Sequence, residues 1–302
     1  KDGRFGLFPG VSVGYNISEE PYWDHVEELF LMKHLKIRGS WGSLGNQNVG
    51  NYLYLPILPT NTNLEWIMGS SRPDYTMLPD LVSPGLTWET VNTLNIGFDA
   101  AFFDNKLNLN FDWYNRTTLD MFGPAEQLPA VLGTSPTVRN NAELQTKGFE
   151  LNLSWKDNIT DDWSYGVKLT LGDNKSTIIK YNNPNKTLGG FYRGGWGSAT
   201  WHVNDWYKGK TVGEIWGFET EGYFKSDAEV ETHADQSEIY GGRWQRGDIK
   251  YKDLNDDGKI SWGELTKENH GDIKVIGNDK PRYNFGVNGT MRYKGFDFRM
   301  FW

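Results

Sequence analysis

Hydrophobic residues recur at every second position through much of this chain, and that period makes the strand, not the helix, its building unit. In "KLNLNFDWY", Leu107, Leu109, Phe111 and Trp113 fall on one face, and Asn108, Asn110 and Asp112 on the other. "FELNLSW" repeats the pattern with Phe149, Leu151, Leu153 and Trp155, and "WSYGVKLTLG" with Trp163, Tyr165, Val167, Leu169 and Leu171. "LNIGFDAAF", "FGVNGTMRY", "HLKIRGSW", "FPGVSVGYNI" and a final "FDFRMFW" bring the expectation to about eight strands. The segment "SEEPYWDHVEELFLMK" (18–33) has helical spacing instead, at Val26, Leu29 and Phe30, and predicts a small helix.

Alternation fits both a soluble β-sandwich and a transmembrane barrel; the connections separate them. "DN" (104–105), "KDNITDD" (156–162) and "KG" (294–295) are short, whereas roughly 46–90, 116–145 and 174–281 are long. A membrane barrel has short periplasmic turns and long extracellular loops by construction. Its apolar band meets lipid, here Leu107, Leu109, Phe111, Leu151, Leu153, Val167 and Leu169. Lys36, Arg38, Asn110, Asp112, Glu150, Lys168 and Arg292 then face a wet lumen. Tyr15, Phe102, Trp155, Trp163 and Tyr293 fall at the short-turn side, and Trp41 and Trp113 at the other, as paired aromatic girdles do. The expected fold is all-β: a segment of a large antiparallel transmembrane β-barrel. The opening "KDGRFGLFPG" reads as the tail of a loop and the closing "FDFRMFW" as the start of a strand, so all 302 residues are expected to be part of one larger barrel domain.

Composition removes other classes. The longest apolar runs, such as "LFLM" (29–32), are far too short for a membrane-spanning helix. A formal net charge of -8 speaks against nucleic acid as a partner. Cysteine is absent, so no disulfide framework and no cysteine-held zinc is available. The five histidines lack metal-ligand spacing, no nucleophile or phosphate motif is present, and nothing marks a pair of catalytic carboxylates; no enzyme activity is expected.

One stretch carries a chemical signature. "DLNDDGKISWGE" (253–264) fits the calcium template D-x-[DN]-x-[DN]-G-x5-E in register. Asp253, Asn255 and Asp257 each offer one side-chain oxygen, Lys259 its carbonyl, Ser261 a hydroxyl or a bridged water, and Glu264 two carboxylate oxygens. Gly258 permits the turn and Ile260 anchors the loop. The preceding "GDIKYKD" alternates like a strand, so the incoming helix of an EF-hand is missing. The expected role is a structural calcium ion that stiffens a long loop; the alternative is an ordinary Asp/Asn/Gly turn. A second stretch, "FYRGGWGSATWHVNDWYKG", holds Tyr192, Trp196, Trp201 and Trp206, whose rings could stack on sugar faces or pack the loop on itself. "RGD" (246–248) is a three-residue match running into a strand and carries no weight.

Several stretches together resemble one family. "RFGLFPGVSVGYNISEE", "LKIRGSWGSLGNQNVGNY", "LTWETVNTLNIGFDAAFFDNKLNLNFDWYNRTTLDM", "NAELQTKGFELNLSW" and "GDIKYKDLNDDGKIS" are similar, in order, to the C-terminal barrel half of SusC/RagA-type TonB-dependent outer-membrane transporters. The resemblance implies a 22-stranded barrel of the plugged-transporter size. It also implies location in the outer membrane of a Gram-negative bacterium, contact with its lipid, and a TonB complex engaged through an N-terminal plug not found in this sequence. It implies a SusD-like surface lipoprotein as partner, and glycan oligomers or peptides as cargo. The expected function is TonB-dependent import of such a nutrient; the alternative is a calcium-stabilised cell-surface glycan-binding or adhesion protein without transport.

Overall fold

The computed structural model describes residues 5–47, 55–62, 67–77, 79, 81–82, 86–123, 131, 139–189, 205–239 and 242–302. In chain order the first strands are β1 (Gly10–Asn16), β2 (Met32–Asn46), the two-residue β3 (Thr60–Asn61) and β4 (Tyr75–Thr76), β5 (Glu89–Phe102), β6 (Leu107–Gly123), β7 (Arg139–Thr160) and β8 (Trp163–Lys180). There follow β9 (Glu214–Phe218), β10 (Thr220–Tyr223), β11 (Ile249–Tyr251), β12 (Ile273–Asn278), β13 (Asn284–Tyr293) and β14 (Phe296–Phe301). Helix α1 (Trp23–Phe30) lies in the segment where helical spacing predicts it, and α2 (Asp227–Thr232) is a short helix capped by the Ser226 hydroxyl. Two compact units result: Lys1–Ser176 with Arg282–Trp302, and Thr177–Pro281.

The first unit is built on an eight-stranded sheet in the order β1-β2-β5-β6-β7-β8-β13-β14, an up-and-down meander whose paired strands run antiparallel, with β3 and β4 paired separately. Register aligns like with like. Ile37, Phe98, Phe111 and Leu151 form one row across four strands. Lys36, Asp99, Asn110 and Asn152 form the next row, on the opposite face, and Arg38, Gly97, Asp112 and Glu150 the row after Ile37 on the other side. A slip of one residue would exchange the two faces, so the hydrophobic pattern pins the register. On the apolar face Phe98 and Phe111 lie 5.6 Å apart and Phe111 stacks on Phe149 at 6.2 Å. At the short-turn end Trp163 meets Tyr293 edge-on at 5.9 Å, and Trp155 Nε1 donates to Tyr165 Oη at 3.0 Å.

On the polar face Arg38 bridges two strands. Its guanidinium donates to Asp99 Oδ2 at 3.1 Å and to Asp112 Oδ2 at 2.6 Å. Gly97 makes this possible, because a Cβ there would stand 2.7 Å from Asp112 Oδ1 and 3.0 Å from Arg38 Cζ.

Two connections are tighter than the sequence pattern implies, and the β5–β6 turn is wider than the expected Asp104–Asn105. The β5–β6 turn is residues 103–106, with Phe103, Asp104 and Asn105 at φ 55°, 54° and 65°. β7 continues through Thr160, leaving only Asp161 and Asp162 between it and β8, where a seven-residue connection was expected. β6 runs to Gly123 and β7 starts at Arg139, so the loop expected over 116–145 shrinks to 124–138. The cause is backbone pairing that persists after the apolar alternation ends, down to Gly123 opposite Arg139. At a rise of about 3.3 Å per residue the 22 residues of β7 reach ~70 Å, far beyond a hydrocarbon core.

The second unit has its own core: Leu188, Tyr207, Trp216 and Ile273 are buried together, with Phe218, Trp262 and Leu265 packed against them. Strands β9 and β12 pair, as do β10 and β11. Glu214 satisfies the polar atoms of this core. It accepts from Tyr207 Oη, from Trp216 Nε1 at 3.0 Å and from Thr211 N at 3.1 Å. Burial, and then the Glu214 carboxylate, raise the pKa of the Tyr207 hydroxyl well above its ordinary value.

Candidate functional site

The template stretch follows β11 in the second unit. Its first half is curled by side chains bonding backbone a few residues on, as Asx turns do. Asp253 Oδ2 accepts from Gly258 N at 2.8 Å, Asn255 Oδ1 from Asp257 N at 3.2 Å, and Asp257 Oδ1 from Lys259 N at 2.8 Å. Asn255 Nδ2 donates to Asp257 Oδ2 at 3.0 Å. Gly258, at φ 81°, makes the sharp turn, and Asp256 takes φ 58° off the ligand register. The second oxygen of Asp253, Oδ1, is buried with no hydrogen-bond partner. Beyond the turn Lys259 pairs in parallel with Asp235: Gly258 O accepts from Asp235 N at 2.9 Å, and Asp235 O from Ile260 N at 2.8 Å. Ile260 is fully buried, as its expected anchoring place requires.

The loop is closed by a residue outside the template. Asp272 is fully buried, and its two carboxylate oxygens accept from Leu254 N and Ser261 N, each at 2.8 Å. Its own amide donates to Ser261 O at 3.0 Å. One side chain therefore ties the entry of the loop to its exit. Glu264 instead sits exposed on a separate turn, where its amide donates to Asn269 O at 3.0 Å and Gly263 and Leu265 take φ 59° and 53°. Ser261 Oγ accepts from Gly263 N at 3.3 Å. Among the described residues no three His, Cys, Asp or Glu side chains are grouped so that they could hold a metal ion, so Asp253, Asp257 and Glu264 do not converge in this conformation. The donor set fits calcium in its first half, where Asp253, Asn255 and Asp257 ring the turn. Glu264 stands outside that half. Asp272 has no signal in the template, since it lies eight residues past the last template position; only its burial reveals it.

Of the aromatic candidates, Tyr192, Trp196 and Trp201 lie outside the described residues. Trp206 is half-buried, edge-on to Tyr181 at 5.9 Å, and its carbonyl accepts from Asn183 Nδ2 at 3.0 Å. Its ring is used for packing within its own unit. His233 and His270 are likewise packing residues, at 5.3 Å from Phe224 and 5.5 Å from Trp216.

Comparison with known proteins bears on the sheet as a whole. The family model described as TonB dependent receptor-like, beta-barrel, matches residues 1–293. TonB-dependent receptor P3 of Formosa agariphila is 26% identical over 301 residues, covering 100% of this chain and 28% of that protein. TonB-dependent receptor SusC of Bacteroides thetaiotaomicron is 26% identical over 181 residues, 60% of this chain and 18% of that one. A solved structure of the RagAB peptide transporter superposes with a TM-score of 0.68 at 19% identity, covering 100% of this chain and 29% of that chain. The chain thus spans under a third of the length of each of these relatives.

Proposed function

Because the chain belongs to the TonB-dependent receptor β-barrel family, we propose that the full-length protein imports a bulky nutrient, a glycan oligomer or a peptide, across the outer membrane without catalysis. The sheet is a segment of an outer-membrane β-barrel: its apolar face meets lipid and its polar face lines the interior. The observation that carries the reading is the eight-strand meander with aligned apolar and polar rows, matched over its whole length by receptors of this kind. Transport by the relative named as a peptide transporter and membership alongside SusC support import over mere surface attachment. Deleting the full-length gene should abolish uptake of a fluorescent cognate oligomer, and loss of TonB should do the same. Surface binding that persists without any uptake would favour the adhesion alternative instead.

A SusD-like surface lipoprotein is the expected partner, on the strength of the resemblance to SusC/RagA-type proteins. Purification of the full-length protein from its native membrane in mild detergent should bring down a second protein in stoichiometric amount. A transporter that runs alone under those conditions counts against the pairing.

The loop 253–264 is proposed to take a structural calcium ion through Asp253, Asn255, Asp257, the Lys259 carbonyl and Ser261, with Glu264 recruited on binding. The unpartnered Asp253 Oδ1 supports this, because a buried carboxylate oxygen without a donor is costly unless a cation serves it. An unpaired loop of this type belongs with the weak extracellular sites, of order 10⁻⁴–10⁻³ M. Calorimetric titration of the full-length protein should show weaker binding for Glu264→Ala and unchanged binding for Asp256→Asn, a change that keeps a residue tolerant of positive φ. Indistinguishable heats for all three proteins would leave the stretch as an ordinary turn.

A further inference from the structure

Basic charge on the polar face of the sheet is treated in two ways. Arg38 is neutralised by Asp99 and Asp112. Lys156 on β7 and Lys168 on β8 are not: among the described residues neither ammonium makes an ion pair or a hydrogen bond. Both line a pocket of about 500 Å³ that contains no carboxylate. Its polar wall is completed by Asn110, Asn152, Asn288 and Thr290, with Ser154 two residues before Lys156 on β7. Register brings these groups together, since Asn110 stands opposite Asn152, and Lys168 opposite Asn288. Gly166 keeps the space open. A Cβ there would lie 2.9 Å from Thr290 Oγ1 and 3.3 Å from Lys156 Cγ. The other lining residues, Trp155 and Val167, alternate onto the apolar face.

We propose that this pocket is a binding subsite for a carboxylated oligosaccharide, a uronic-acid chain, on its way through the barrel. The proposal rests on the transport reading, which places the polar face inside. Two ammonium groups without an ion pair among the described residues, in a pocket lined by no carboxylate, call for an anion, and charge-assisted hydrogen bonds to carboxylate are the strong ones. The surrounding primary amides and hydroxyls both donate and accept, which suits the hydroxyl groups of a sugar chain. No aliphatic or aromatic side chain is offered on the polar side, so the apolar residues of a peptide find no contact there.

The test uses the full-length protein in detergent, with calorimetric titration of a short oligogalacturonate, an uncharged galactose oligomer of equal length, and an oligoglutamate. The wild type should bind the uronate, and more weakly as salt rises. Lys156→Gln with Lys168→Gln should weaken that binding roughly tenfold or more, as loss of hydrogen bonds to a charged group does, and leave the neutral oligomer unaffected. Lys168→Arg should retain the uronate, and heat-resistant migration of the folded barrel confirms that each variant folds. Uronate binding that is absent, or equal in the double variant, overturns the subsite while leaving transport intact. Oligoglutamate bound as tightly, with the same dependence on the lysines, overturns the sugar class. Lysine-dependent uronate binding without uptake by cells would preserve the subsite and defeat the transport reading.

Discussion

Arginine at Leu151 should destabilise the folded barrel by about 2–4 kcal/mol, the cost of a cation on the lipid face near the membrane midplane. The aromatic belts locate that plane. Phe102, Leu107 and Trp155 form one level, and Trp113 with its opposite neighbour Phe149 lies six residues along each strand. Leu151, aligned with Phe111 and through it Phe98, falls between them. Leu153, aligned with Leu109, lies two residues from the short-turn belt just as Leu151 lies two residues from the other, so arginine there should cost about as much. Asn152, between the two in sequence, faces the polar side opposite Asn110, and arginine there should be nearly neutral. Equilibrium unfolding of the full-length protein in lipid bilayers checks the series. A smooth trend through 151, 152 and 153, without the dip at 152, is the result that would reject a lipid-facing assignment of these rows.

The rows were legible in the sequence because alternation is local and strands of a barrel impose it residue by residue. The eight strands of the large sheet, helix α1 and the Lys294–Gly295 turn follow from the same local signal; the six short strands of the three small sheets do not. Strand length does not. In "NRTTLDMFG" polar residues occupy both faces, yet Thr117 pairs with Gln145 and Gly123 with Arg139, because backbone hydrogen bonds need no apolar side chains where the sheet rises into water. The core of the second unit was also hidden: Leu188, Tyr207, Trp216 and Ile273 are spread over 86 positions of sequence and share no period. The calcium template divides in the same way. Asp253 to Gly258 is a set of neighbour-to-neighbour contacts and reads directly from the spacing, whereas the group that closes the loop comes from further along the chain.

That closing group gives the largest effect expected in the second unit. Asp272→Ala removes two hydrogen bonds to a buried carboxylate and strands the amides of Leu254 and Ser261. Hydrogen bonds to charged groups contribute about 1.5–3 kcal/mol each, so the loss is about 3–6 kcal/mol of the local stability of this unit. Asp272→Asn is the sharper variant. Its amide fills the same space but has one acceptor oxygen, so one backbone N–H keeps its partner while the other faces an NH₂. It should therefore fall between wild type and alanine. Glu264→Ala touches only an exposed side chain and should leave the metal-free loop unchanged. Limited proteolysis in chelator reads this order: wild type and Glu264→Ala protected, Asp272→Asn nicked within 253–264, Asp272→Ala nicked fastest. The reverse order, with Glu264→Ala cut and Asp272→Ala intact, would show that the Asp272 carboxylate is not what holds the loop closed. Under the geometry seen here the division of labour is different. The buried carboxylate holds the loop closed, so a weakly bound ion has only the outer turn at Gly258 left to order.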